Sequence, residues 1–137
     1  MKYTAKIASS VVFVSELDRS VVFYRDVFAC EVAIRERDAA LLLAPGGFQM
    51  YLIAKGSRAQ HPSGGVGHEF LMWATDSVEG LEHFEQVLRD CGRYSDTHTI
   101  GGVRFVEGHD PDGIRVVIAH PSPEQRPRSM LDPRFYS

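Results

Sequence analysis

Apolar and polar positions follow two periods along this chain, and the same succession of periods is written twice. Residues 7–14 (IASSVVFV) are β-branched and apolar and predict a strand. Ser15, Glu16 and Asp18 then supply helix-starting oxygens ahead of Val21, Tyr24, Val27 and Phe28 at helical spacing. Glu31–Arg35 and Ala39–Leu43 read as short strands, and Pro45-Gly46-Gly47 is a turn before a strand over 48–54. The second half repeats this. Residues 68–74 (HEFLMWA) resume strand character, and Asp76 with Glu79 makes a capping pattern for a helix bearing Val78, Leu81, Phe84, Val87, Leu88 and Cys91 on one side. Gly92 suits the helix stop. Tyr94–Ile100 and 103–107 are strands, and Asp110-Pro111-Asp112-Gly113 turns the chain into a last apolar run over 114–119.

The expected architecture is α+β: two βαβββ modules, each a curled mixed sheet with its helix outside, and a cavity within or between them. Residues 1–120 are expected to form one domain. Module one covers about 6–54 and module two about 67–120, joined by a Gly-, Ser- and Pro-bearing linker at 55–66. Residues 121–137 carry Pro123, Pro127 and Pro133 and end near Arg134-Phe135-Tyr136, the composition of an extended tail lying on the domain or on a partner.

Composition narrows the partners. The 137 residues suffice for one real core. A net charge of −3 with scattered Lys and Arg lacks the basic stripe that grips phosphates, so nucleic acid is excluded as a partner. No apolar run approaches the roughly 18 residues of a membrane span, and the first ten residues lack a secretory core, so a cytoplasmic setting is expected. Cys30 and Cys91 sit in no metal or redox spacing and are expected to be reduced structural thiols.

Three segments together carry a resemblance. The run VSELDRSVVFYRDVF resembles the V-x-D-L-x-x-S-x-x-F-Y-x-x-x-L opening of the vicinal oxygen chelate (VOC) superfamily, the glyoxalase, bleomycin-resistance and extradiol dioxygenase group. GHEFLMWATD and HDPDGIRVVIAHP are similar to its second-module strand and closing hairpin. The resemblance spans about residues 7–120. It implies half-barrel sheets with a ligand on the concave face, often beside a divalent metal held by one ligand from each of four strands, and it implies a homodimer.

Carried over position by position, those ligands fall at Ser9, Tyr51, His68 and Val117, and only His68 is of a usual ligating type. A one-residue slip would bring in Ser10, Met50 or Val116, and a two-residue slip Gln49. His68 with Gln49 falls short of a three-ligand site, so no cofactor is expected and a divalent metal is disfavoured. Asp110, Asp112 and His109 are read as turn residues. Strand parity puts Val11, Phe13, Phe70, Met72, Arg115 and Val117 on the faces shared with Ser9 and His68, a mostly apolar lining with few polar points. The candidate ligand-binding set is therefore Ser9, Phe13, Tyr51, His68, Phe70, Arg115 and Val117, with His68 as the catalytic candidate.

For each the plainer reading stands beside the functional one: His68 and Tyr51 as packed core residues, and Arg115 as a side chain reaching solvent. Trp73, on the opposite parity, is expected beneath a helix, and Phe23, Tyr24 and Phe84 in a core or interface. His61, His83, His98, His109 and His120 share no ligand spacing and are read as surface residues. The expected function is metal-independent binding of a small aromatic or amphipathic compound, as in antibiotic-resistance members of the group. The alternative is an enzyme of the superfamily, a glyoxalase-like lyase, an isomerase or an extradiol dioxygenase, with an atypical metal arrangement or acid–base chemistry by His68 with Tyr51. A third reading is an accessory module that recognises another protein.

Overall fold

Each half of the chain folds as β-α-β-β-β. In the first half the elements are β1 (Ser9–Val14), α1 (Leu17–Phe28), β2 (Glu31–Arg35), β3 (Ala39–Leu43) and β4 (Gln49–Ala54). In the second they are β5 (Leu71–Ala74), α2 (Val78–Asp90), β6 (Tyr94–Ile100), β7 (Val103–His109) and β8 (Arg115–His120). The computed structural model describes residues 3, 7–55 and 70–121. Two compact units result, Met1–Gln60 and His61–Ser137. The expected linker, apart from Lys55, the expected tail, apart from Pro121, and His68 itself lie outside the described residues. Among the described residues no helix is long and apolar enough to cross a membrane.

The two sheets repeat one topology, β1-β4-β3-β2 and β5-β8-β7-β6, with one parallel pair at β1–β4 and at β5–β8 and antiparallel pairs elsewhere. A strand that crosses over through a helix returns parallel to its partner, whereas hairpins return antiparallel, so β-α-β-β-β yields this mixed sheet. In unit 1 the helix buries Leu17, Val21, Tyr24, Val27 and Phe28, the face its spacing predicted. Phe23 also lies in the core, its ring 5.0 Å from that of Tyr24 and edge-on to it. The sheet residues turned to α1 are Val14, Ala40, Leu42, Met50 and Leu52, all buried. Each of the Val, Leu and Met side chains among them contributes about 1.5–3 kcal/mol of burial.

In unit 2, α2 packs on β7 and β8. Its N-cap is Ser77, whose Oγ accepts the Gly80 N–H at 3.0 Å, rather than the expected Asp76. Ser77 holds the extended φ/ψ that lets a short hydroxyl reach back to the first turn. The helix ends where Gly92 was expected to stop it. With φ at +74°, Gly92 closes a Schellman motif in which Arg93 N–H donates to Leu88 O at 2.8 Å and Gly92 N–H to Arg89 O at 3.1 Å. Gly108 lies against this turn. A Cβ there would stand 2.5 Å from the Arg93 carbonyl oxygen and 3.1 Å from Leu88 Cδ1.

A second contact fixes β6 to the helix. Thr97 Oγ1 donates to Glu85 Oε1 at 2.7 Å, so the Tyr94 hydroxyl, also 2.7 Å from Oγ1, is the donor in that pair. The Arg89 guanidinium lies 3.9 Å from the Tyr94 ring centre. A bulge between Tyr94 and Asp96 lets both Tyr94 and Thr97 face α2 although they are three residues apart. The predicted closing turn also forms. Buried Asp110 accepts the Asp112 and Ile114 N–H groups on Oδ1 at 2.8 and 2.9 Å. Cys30 and Cys91 are free thiols, the first buried and the second exposed.

Candidate functional site

Unit 1 presents one packed and one uncovered sheet face. Ser9, Val11 and Phe13 pair with Gln49, Tyr51 and Ile53, and period-two alternation turns this set away from the buried Met50 and Leu52. Val11 is 59% exposed, Phe13 56% and Tyr51 37%. The register therefore brings the expected Ser9, Phe13 and Tyr51 onto one face, with Gln49 directly beside Ser9. The Lys55 ammonium stands 4.9 Å from the Phe13 ring centre and adds a cationic point to an otherwise apolar surface.

Unit 2 arranges its helix-free face differently. Val117 is fully buried there with Val103, Phe105 and Ala119, and Phe70, Met72 and Ile100 pack against this cluster. Beside it the face turns polar. Glu107, buried, pairs across the ladder with Val117 on one side and Asp96 on the other. Arg115 Nε lies 3.3 Å from Glu107 Oε1, and its guanidinium is 5.4 Å from the Phe70 ring centre, so Arg115 is tied to a carboxylate and an aromatic face. His98 Nδ1 lies 3.6 Å from Glu107 Oε2 and 3.5 Å from Asp96 Oδ2. The imidazole stacks on Phe105 at 5.3 Å with an interplanar angle of 21°.

The expectation of a surface role for His98 is thereby corrected: its side chain is only 11% exposed. Histidine character did not decide this; position in the hairpin did. Gly101 and Gly102 both take positive φ, 57° and 81°, and form the two-residue turn that pairs Ile100 with Val103. From that pairing His98 falls opposite Phe105 and Asp96 opposite Glu107. Counting back from the Gly-Gly pair along the two predicted strands would have found the group, whereas spacing along a single strand does not. His120, also read as a surface residue, is half-buried and its Nδ1 lies 2.9 Å from the Thr75 carbonyl oxygen.

Of the four positions at which the VOC resemblance places metal ligands, the three among the described residues do not carry a usual metal ligand. Ser9, Tyr51 and Val117 hold three of them, and Val117 is enclosed by aliphatic and aromatic carbon. His68, the fourth, lies outside the described residues. The donors on the helix-free face of unit 2 stand elsewhere: Asp96, His98 and Glu107 each offer one ligating atom, all within 4.8 Å of one another. Such a group can hold a cation, share a proton, or present an anion-and-cation pair with Arg115 to a polar ligand.

No family model matches the sequence, and no curated protein matches it. Solved structures do. A glyoxylase/bleomycin resistance protein/dioxygenase domain from Frankia sp. EAN1pec superposes with a TM-score of 0.71 at 18% identity, over 86% of this chain and 92% of that one. Lactoylglutathione lyase from Agrobacterium tumefaciens gives 0.68 at 20% identity, over 86% and 95%. The fosfomycin resistance protein FosX from Listeria monocytogenes gives 0.75 at 12% identity, over 91% and 100%. With two β-α-β-β-β units of like topology and these structural neighbours, the chain has the glyoxalase/bleomycin-resistance/dioxygenase fold that its sequence motifs resemble.

Proposed function

We propose that this chain binds a small aromatic or amphipathic molecule by apolar contact, without a metal at the four VOC positions, and works as a cytoplasmic homodimer. One observation carries the reading: Val11, Phe13 and Tyr51 form an uncovered apolar sheet face in unit 1 while the reverse side of the same strands is packed. Contiguous exposed apolar surface of this kind favours an organic occupant. Ser9 and the Tyr51 hydroxyl supply polar points beside it. FosX, a fosfomycin resistance protein on the same fold, supports a resistance-like role.

The test is a panel of aromatic and amphipathic compounds scored by calorimetry with and without a chelator. Binding that survives the chelator and weakens in Phe13→Ala and Tyr51→Ala is the expected result. Affinity that disappears with chelation, or is indifferent to both substitutions, overturns the reading. A second reading, an enzyme of the glyoxalase or dioxygenase kind, is favoured by Glu107, His98 and Arg115 gathered on the helix-free face of unit 2, groups able to move a proton or hold an anion. Turnover of any substrate that is lost in His98→Gln would establish it over simple binding.

A further inference from the structure

We infer that Asp96, His98 and Glu107 form a binding site for one divalent transition-metal ion on the β6–β7 hairpin. Its three donors are residues other than those at the four positions considered above. The argument begins with the donor spacing. Protein N and O ligands lie about 2.0–2.2 Å from such an ion, so two of them on one ion stand about 3.0–3.6 Å apart. His98 Nδ1 is 3.5 Å from Asp96 Oδ2 and 3.6 Å from Glu107 Oε2, placing the imidazole nitrogen as the common neighbour of both carboxylates.

The support around the donors is of the kind that holds ligands in place. Phe105 stacks on the imidazole and limits its rotation. Arg115 Nε faces Glu107 Oε1 at 3.3 Å and leaves Oε2 turned to His98, an outer contact that orients a ligating carboxylate. All three donors sit on adjacent paired strands whose register is set by the Gly101-Gly102 turn, so no loop closure is needed to assemble them.

Charge and donor type indicate the ion. Two carboxylates beside one guanidinium leave the group a net negative charge that a cation would offset. One imidazole nitrogen with two carboxylate oxygens suits Zn²⁺, Co²⁺, Fe²⁺ or Mn²⁺ better than the soft Cu⁺ or the all-oxygen Ca²⁺. Three protein donors also leave coordination positions for water or for a ligand oxygen. The alternative occupant is a proton: an imidazolium between the two carboxylates would produce a similar arrangement without any metal.

The experiment uses the untagged full chain, freed of metal by chelator and dialysed, titrated with Zn²⁺ by calorimetry and with Co²⁺ by visible absorption. One equivalent per chain is expected, with Co²⁺ bands of a nitrogen–oxygen site. Asp96→Asn and His98→Gln are each expected to weaken Zn²⁺ binding by about 10-fold or more. The Asp96 side chain is 50% exposed, so Asp96→Asn decides the matter even where His98→Gln does not fold. Absence of a stoichiometric Zn²⁺ isotherm overturns the proposal in favour of a group without metal, and an isotherm unchanged in Asp96→Asn overturns it by putting the ion on other ligands. Phe13→Ala is expected to leave Zn²⁺ uptake intact, which separates this site from the compound-binding reading.

Discussion

Glu107 stands directly opposite Val117 across the antiparallel β7–β8 ladder, with both side chains on the helix-free face of unit 2. Cross-strand partners hold their Cβ atoms about 4.5–5.5 Å apart. A carboxylate therefore lies one strand away from the position where the VOC resemblance puts its closing acid. Val117 fills that position with carbon and is sealed into an apolar cluster, whereas Glu107 keeps one oxygen toward Arg115 and the other toward His98. The carboxylates and the imidazole of this face belong to β6 and β7, and Arg115 joins them from β8.

Gly108→Ala is expected to destabilise the protein by about 1–3 kcal/mol, the range for forcing a methyl into a packed site. The added carbon would meet the Arg93 carbonyl oxygen at 2.5 Å, and backbone at a Schellman turn has little room to move. Urea unfolding followed by circular dichroism measures the change, and an unaltered midpoint would contradict the close approach of β7 to the end of α2.

Asp110→Ala is expected to cost about 2–4 kcal/mol, because two backbone N–H groups lose a buried carboxylate acceptor at once. Asp110→Asn retains a carbonyl oxygen at the same position and should cost less than half as much. Comparing the two unfolding midpoints separates turn chemistry from charge: equal losses would mean that the negative charge, and not the acceptor geometry, holds the β7–β8 turn.

At the start of α2, Ser77→Ala is expected to lose about 1 kcal/mol with the cap to Gly80. Asp76→Ala, at an exposed position with no cap bond to lose, should stay within about 0.5 kcal/mol. Thermal melts of the two variants rank the residues, and the reverse order would restore Asp76 as the cap.

The two thiols should differ sharply in reactivity. Burial pushes the Cys30 thiol up to about 11 from its ordinary 9.0, while Cys91 is exposed. At pH 8 an alkylating reagent should modify Cys91 quickly and Cys30 only after denaturation. The sign of the stability effect follows from the proton held in the fold. Between pH 9 and about 11 the unfolded chain releases the Cys30 proton and the folded chain retains it, so stability present below pH 9 declines through that window. Cys30→Ala should flatten that part of the pH–stability curve, measured by denaturant midpoints at pH 8, 9, 10 and 11.

The sequence alone determined the element order, the two-module repeat and much of the strand parity. Those properties are local: helical spacing on α1, a Gly stop after α2 and an Asp-Pro-Asp-Gly turn act over a few residues and can be read there. Parity likewise placed Ser9, Phe13 and Tyr51 on one face, because period two follows from the pleat itself. Asp76 and Ser77 both offer a cap oxygen, and only the backbone φ/ψ at Ser77 chose between them. Only the tertiary structure decided which residues meet across strands. Asp96, His98 and Glu107 lie on two strands and are neighbours through hairpin register, and Arg115 joins them from a third. The burial of Val117 and His98 depended likewise on what packs against them, a long-range property that no single-strand pattern contains.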